Sequence, residues 1–278
     1  MTDYSIRSLE SYDELRDCVA LQEETWGEAF PERVPPSTLK VAQILGGLCA
    51  GAFDRDGSLV GFVFGMTGVR DGEIVHWSDM LAVKRGIRDT GLGTRLKAYQ
   101  RSVMLERGIT KVHWTFDPLQ SRNAYLNFSK LGIVVREYVR DMYGDTDSPL
   151  RRGIGTDRFV ALWPTDSERV RRRLEGHERG PGTEVLGAYP AALGASHPEG
   201  DRPRSPGRVL LGLDDAVVSV AIPADVSALM AESMELAVAW RQGTRTALMH
   251  YMGRGYEVRE LVRDAHTSHY LLFRGSHP

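Results

Sequence analysis

Along the first 165 residues the apolar positions alternate between a period of two and a period near 3.6, the mark of strands interleaved with helices. Residues 4–7 form a short strand candidate. Ser11 then stands as an N-cap before a run in which Leu15, Val19, Gln22 and Trp26 recur at helical spacing. Pro31, Pro35 and Pro36 break that helix, and Ser37 is placed to cap a second one over residues 38–48. Residues 51–53 and 59–65 flank the turn Asp54-Arg55-Asp56-Gly57 and predict a hairpin. Strands are expected at 74–83, 111–116, 133–139 and 158–163, with helices at 91–106 and 122–130.

From 166 to 206 the pattern changes. The basic run Arg169-Val170-Arg171-Arg172-Arg173 leads into a stretch rich in Gly, Pro, Ala and Ser, which reads as a linker with a solvated helix face. Globular patterning resumes at Arg208, with a strand at 217–222, a long helix at 234–252 and strands at 256–262 and 270–273. Val135-Arg136-Glu137-Tyr138-Val139-Arg140-Asp141 nearly recurs as Val258-Arg259-Glu260-Leu261-Val262-Arg263-Asp264. At the same offset Ala124 matches Ala247, Phe128 matches Tyr251 and Gly132 matches Gly255, so the last segment is expected to be a half-domain repeat. The expected organisation is a domain at 1–165, a linker at 166–206 and a partial repeat at 207–278. The fold class is α/β (α+β), a mixed central sheet flanked by helices.

Composition narrows the function classes. With 35 basic and 37 acidic residues the net charge is −2, which offers no electrostatic reason to bind nucleic acid or an anionic membrane. No apolar run approaches a membrane span, and Met1-Thr2-Asp3-Tyr4 does not open a secretory signal, so a cytoplasmic location is expected. Cys18 and Cys49 are too few for a disulfide scaffold, have no zinc spacing, and sit in apolar surroundings as packing residues. No metal site is expected.

The strongest chemical motif is Arg88-Asp89-Thr90-Gly91-Leu92-Gly93-Thr94, between a strand and a helix. Its glycines let consecutive N–H groups converge, and the helix N-terminus adds partial positive charge, a cradle for a pyrophosphate. Alone, it reads equally as a plain strand-to-helix turn. It has neither the dinucleotide-binding nor the nucleoside-triphosphatase glycine spacing.

With its flanks, the motif resembles the GNAT superfamily of acyl-CoA-dependent N-acyltransferases. Leu81-Ala82-Val83 followed by Arg88-x-x-Gly91-x-Gly93 looks like that superfamily's pyrophosphate motif, and Asn123-Ala124 … Phe128-x-Lys130-Leu131-Gly132 looks like its second motif. The resemblance covers residues 4–165. A narrower likeness, to a bacterial group of predicted GNAT acetyltransferases with a long C-terminal half, rests on five short segments. They are Trp114-Thr115-Phe116-Asp117-Pro118-Leu119, Arg122-Asn123-Ala124, Gly155-Thr156-Asp157-Arg158-Phe159, Ala239-Trp240-Arg241 and Thr244-Arg245.

The resemblance implies acetyl-CoA (coenzyme A) as co-substrate, direct transfer to the amine of a small molecule, and no metal. The backbone of Leu81, Ala82 and Val83 would pair with the pantetheine arm, and Arg88, Asp89, Thr90, Gly91, Leu92, Gly93 and Thr94 would hold the pyrophosphate. Asn123 would lie near the arm, a role compatible with capping its helix. Phe128 occupies the position of the superfamily's thiolate-protonating tyrosine, which leaves Tyr125, Tyr138 and Tyr143 as other candidates. The base would project from His76-Trp77-Ser78-Asp79-Met80, with Asp79 first and His76 second; alternation puts Asp79 with Trp77 and His76 with Ser78 on opposite faces unless a bulge intervenes. The loop at 145–157, with Arg151 and Arg152, would border an acceptor pocket or carry surface charge. The C-terminal half lacks a phosphate loop and is expected to extend the sheet, cover the acceptor side or form a homodimer interface. A non-catalytic acyl-CoA-binding or assembly protein, or an enzyme of the same fold that acts on a hydroxyl or cleaves acyl-CoA, are the competing functions.

Overall fold

The computed structural model describes residues 4–144, 154–196 and 204–275. Two compact units emerge: the first is Met1–Trp114 with Pro164–Ser167, the second Thr115–Trp163 with Glu168–Pro278. The division thus falls between residues 114 and 115 and again on both sides of residues 164–167, so residues 115–163 group with the C-terminal half and not with the N-terminal domain.

The first unit runs β1 (Ser5–Ser8), α1 (Tyr12–Trp26), α2 (Pro36–Ile44), β2 (Leu48–Phe53), β3 (Leu59–Arg70), β4 (Glu73–Val83), α3 (Leu92–Glu106) and the start of β5 (Lys111–Phe116). Strands β1 to β4 pair antiparallel in chain order, and β5 adds parallel to β4. Ser11 and Glu14 form a reciprocal capping box that starts α1, worth about 1 kcal/mol. The second helix begins at Pro36 with no side-chain cap, so Ser37 does not cap it. It ends before Gly46 (φ +84°), and Leu48 already belongs to β2, because the left-handed glycine turns the chain out of the helix. Helices α1 and α2 pack Leu15, Cys18, Leu21 and Leu39 against Phe62, Phe64, Met80 and Ala82 on one sheet face. Cys18 and Cys49 are free and fully buried, and their contact and burial push the Cys49 thiol pKa up. They are core residues, as expected.

The second unit holds α4 (Ser121–Ala124), which continues as a π-helical stretch (Tyr125–Leu131), then β6 (Val134–Val139), β7 (Arg158–Pro164), α5 (Glu168–Leu174), a 3₁₀ turn (Thr183–Ala188), β8 (Ala191–Leu193), β9 (Val217–Pro223), α6 (Val226–Glu232), α7 (Met234–Gly253), β10 (Tyr256–Arg263) and β11 (Thr267–Arg274). Its strand order is β7-β6-β10-β11-β9-β8. All pairs are antiparallel except β8 with β9.

One expectation changes here. The linker is folded: it supplies α5 and β8, and two arginines of its basic run point inward. Arg173, 4% exposed, and Arg169 donate to Glu260 Oε1 at 2.9 and 2.8 Å, whereas Arg171 pairs outward with Glu168. The half-repeat joins its counterpart edge to edge. Val135 of β6 and Val258 of β10, equivalent residues of the two heptapeptides, face each other across an antiparallel pair. An antiparallel pairing of equivalent residues places a local two-fold axis between them, as at an isologous contact.

Buried charge organises this unit. Arg241, 2% exposed, donates through Nη2 to both Asp117 oxygens at 2.7 Å and through Nε to Ile154 O at 3.0 Å. Arg245 forks onto fully buried Asp157 at 2.7 and 2.6 Å, and Tyr138 donates its hydroxyl to the same carboxylate. Burial alone would raise the Asp157 pKa; the bonds from Arg245, Tyr138 and the Asp141 amide outweigh it and hold it below the usual value. Gly155 (φ +74°) must lack a side chain, since a Cβ there would lie 2.5 Å from Asp141 Oδ1 and 3.0 Å from Arg245 Nη2. Beside the cluster, Phe116, Phe128, Phe159 and Tyr270 pack edge to face.

Removing one partner of a buried pair strands the other. Asp117→Ala is expected to destabilise the chain by about 3–5 kcal/mol, read from urea unfolding; a loss below about 1 kcal/mol would show that Arg241 is solvated without it.

Candidate functional site

The site begins with a register slip. Phe64 pairs with Met80 and Gly65 with Ser78, so Asp79 is the extra residue of a β-bulge in β4. The bulge reverses the alternation after it. Before the slip, His76 and Ser78 face α3, where Gln100 and Lys97 bind them; beyond it, Met80 and Ala82 join the α1–α2 core. Leu81 and Val83 now take the α3 side: a Cβ at Gly93 would lie 3.8 Å from Leu81, and one at Gly61 would meet both Val83 and Leu96. Pairing of β4 with β5 covers His76–Val112 and Trp77–His113, so residues 78–83 run past the paired segment with their backbone toward that edge available, apart from Val83 O, which accepts from Arg88.

Next comes the loop. Asp89 (φ +68°) and Gly91 (φ +85°) curl the chain into the 15-residue α3, whose N-terminus has no side-chain cap and no acid in its first turn. The first amides of that turn, at Leu92, Gly93 and Thr94, therefore keep donors unused by capping. A Cβ at Gly91 would meet nothing within 4 Å, and one at Gly93 only the Leu81 methyl, so the cradle opens outward. Arg88 Nε donates to Val83 O at 3.2 Å and Thr90 Oγ1 to Ile87 O at 2.8 Å. Those two side chains shape the loop, while Asp89 is exposed at its rim. These features suit a pyrophosphate held by backbone.

The two candidate bases fare differently. Asp79 is exposed, yet the protein packed around its carboxyl and the charge of Glu32 raise its pKa above the ordinary carboxylate value. His76 is fully buried. Gln100 Nε2 donates to its Nε2 at 2.9 Å, which leaves Nδ1–H to face Thr67 Oγ1 at 3.2 Å, and Thr67 donates onward to Gly46 O. Burial, then Lys97 and Arg107, lower the His76 pKa to about 3, so the ring is neutral and structural. It does not reach solvent to take a substrate proton.

Sequence inspection did not single out Lys97. Its ammonium is buried among Ser78 Oγ (2.9 Å), Gln100 Oε1 (2.8 Å) and the Trp114 ring face (3.8 Å to the centroid). The available signal was Lys97 and Gln100, three residues apart beside the apolar stripe of α3. Burial lowers its pKa.

The remaining expected residues lie in the second unit. Asn123 is exposed in α4 and accepts from Asn127 at 3.3 Å; the cap position is Gln120, so Asn123 is not the helix cap. Phe128 is fully buried in the aromatic cluster and presents no surface to a cofactor, because the π-helical stretch turns it inward. Tyr143 is half exposed, with its hydroxyl 2.9 Å from Thr115 Oγ1 and Arg158 over its ring. Tyr138 is committed to Asp157, and burial pushes its pKa up. Tyr251, the repeat's counterpart of Phe128, is fully buried and donates to Leu210 O at 2.6 Å, so it has no free proton to offer. Arg151 and Arg152 lie outside the described residues.

No protein-family model matches the chain, and no curated protein matches it in sequence. Solved structures do resemble it. A GNAT-family acetyltransferase of Streptococcus pneumoniae is 15% identical over 58% of this chain and 98% of its own, with a TM-score of 0.46. The ribosomal-protein-S18-alanine N-acetyltransferase of Escherichia coli is 19% identical over 59% of this chain and 96% of its own, at 0.46. A Salmonella typhimurium protein solved with its cofactor acetyl-CoA is 14% identical over 60% and 96%, at 0.48. Among the described residues no helix is long and apolar enough to cross a membrane, and no group of three His, Cys, Asp or Glu is placed to hold a metal.

Lys97 predicts a pH dependence. Its folded pKa is lowered, so the unfolded chain binds more protons and stability rises with pH up to the free lysine range near ~10.4. Urea unfolding between pH 7 and 10 should show that rise in the wild type and its loss in Lys97→Met; equal slopes would contradict a buried, destabilised ammonium.

Proposed function

We propose that the chain is an acyl-CoA-dependent N-acyltransferase of the GNAT type, with acetyl-CoA preferred, acting on the amine of a small molecule. The observation that carries this reading is one pairing within the first unit: a bulged strand whose edge is left available beyond Trp77, followed by an uncapped helix N-terminus with two outward-open glycines. A strand edge takes an extended amide-bearing arm as an added strand, and a helix N-terminus takes a pyrophosphate. Coenzyme A carries both.

A bound acyl thioester supplies the activated carbonyl carbon; the rest falls to the chain. The backbone at 81–83 positions the arm, and the amides of Leu92, Gly93 and Thr94 hold the phosphates. Asp79, carried outward by the bulge, takes a proton from the acceptor ammonium, and its raised pKa makes it a stronger base than a free aspartate. Neither cysteine is reachable as a nucleophile, which favours direct transfer without a covalent enzyme intermediate. The small-molecule amine, rather than a protein, is proposed from the sequence resemblance. A homodimer is proposed only as a use for the C-terminal half.

Free-thiol release from acetyl-CoA across an amine panel tests this. Gly91→Glu should weaken coenzyme A binding at least tenfold by filling the cradle with a negative charge. Asp79→Ala should lower kcat/KM by about 10²-fold while leaving that binding unchanged. Tight binding with no thiol release for any amine would favour a non-catalytic acyl-CoA-binding protein, the reading supported by Phe128 being buried where a proton donor is expected.

A further inference from the structure

The second unit contains a cavity of about 520 Å³ between the π-helical stretch, the segment after α5 and the end of β10, within the range of small-molecule sites. It shares none of its lining with the β4 edge or the 88–94 loop. Four cations line it, Lys130, Arg173, Arg179 and Arg263, against one acid, Glu178. That acid is engaged by Arg172 and Arg173, and Arg173 is also bound to Glu260. Lys130, Arg179 and Arg263 form no ion pair among the described residues, so the cavity has three uncompensated positive charges in a chain whose net charge is −2.

The cations are aimed by an aromatic ring. Lys130 Nζ lies 5.6 Å and Arg263 Cζ 5.0 Å from the Tyr125 ring centroid, so two like charges are gathered on one side chain. Gathering them costs repulsion that an anion between them would relieve. A second, independent sign comes from Ser129. It lines the same cavity, is 7% exposed, and its Oγ has no hydrogen-bond partner. A buried hydroxyl is normally satisfied, and an orphaned one at the wall of a basic cavity offers a donor to whatever fills it.

We infer that this cavity is a binding site for a small polyanion, bearing phosphate or several carboxylates, which bridges Lys130 and Arg263 and accepts from Ser129. The inference does not depend on the acyl-transfer reading. Arg179, exposed, also lines the site, and Arg173, fixed by its two glutamates, forms part of the wall.

Isothermal titration of the full chain with pyrophosphate and, separately, with citrate tests this. At least one should bind, with affinity that falls as NaCl is raised. A Lys130→Gln/Arg263→Gln double variant, both positions exposed, should weaken binding at least tenfold with an unchanged melting curve, and Ser129→Ala should weaken it severalfold. Binding of pyrophosphate alone identifies a phosphate ligand, and binding of citrate alone a polycarboxylate. Gly91→Glu should leave this binding intact. No binding of either anion, binding unchanged in the double variant, or binding abolished by Gly91→Glu would overturn the site.

Discussion

One extra residue in β4 governs the candidate site. Without Asp79 in the bulge, period-two alternation would run unbroken, and the residues that now face the α1–α2 core would face α3 instead. The slip does three things at once. It keeps Met80 and Ala82 in the core, turns Leu81 and Val83 toward α3, and pushes a carboxylate outward at the point where pairing with β5 has ended. Below it, the Lys97–Ser78–Gln100–His76 network fixes the strand immediately before the bulge. A buried polar network of this kind is useful only when its members are satisfied together; burial, then the charges of Lys97 and Arg107, keep its histidine neutral.

The second unit rests on a different constraint, charge buried in pairs. Asp117, Gly155, Asp157, Arg241 and Arg245, quoted above for the narrower family likeness, converge on one cluster. Their chemistry is that of holding α7 to the loops that follow β5 and precede β7, so the likeness carries architecture and not a reaction. The two-fold pairing of Val135 with Val258 makes the half-repeat comprehensible: each copy covers the sheet edge of the other. The segment first read as a linker completes that packing through α5 and β8.

Much of the first unit was legible because its signals are local. Ser11 and Glu14 announce α1, the Asp54–Gly57 turn announces the hairpin, and the glycines of 88–94 announce a helix N-terminus. What escaped was set by tertiary partners. A bulge adds no signature of its own to β4, so the facing of His76 and Asp79 could not be fixed before the register was seen. Lys97 carries no burial signal in a helix pattern, because Ser78 and Trp114, which enclose its ammonium, come from other elements. Arg169 and Arg173 looked solvated because their partner, Glu260, is distant in the chain. Phe128 lies in a π-helical stretch, which shifts the facing of every following side chain relative to an α-helical pattern.

The central claim is that the β4 edge and the α3 N-terminus together hold coenzyme A by backbone. Amide hydrogen exchange with and without coenzyme A addresses it at residue level. Slowed exchange at Leu81, Val83, Leu92, Gly93 and Thr94 on addition of coenzyme A is the predicted result. Binding that leaves those amides unchanged and protects others instead would contradict it.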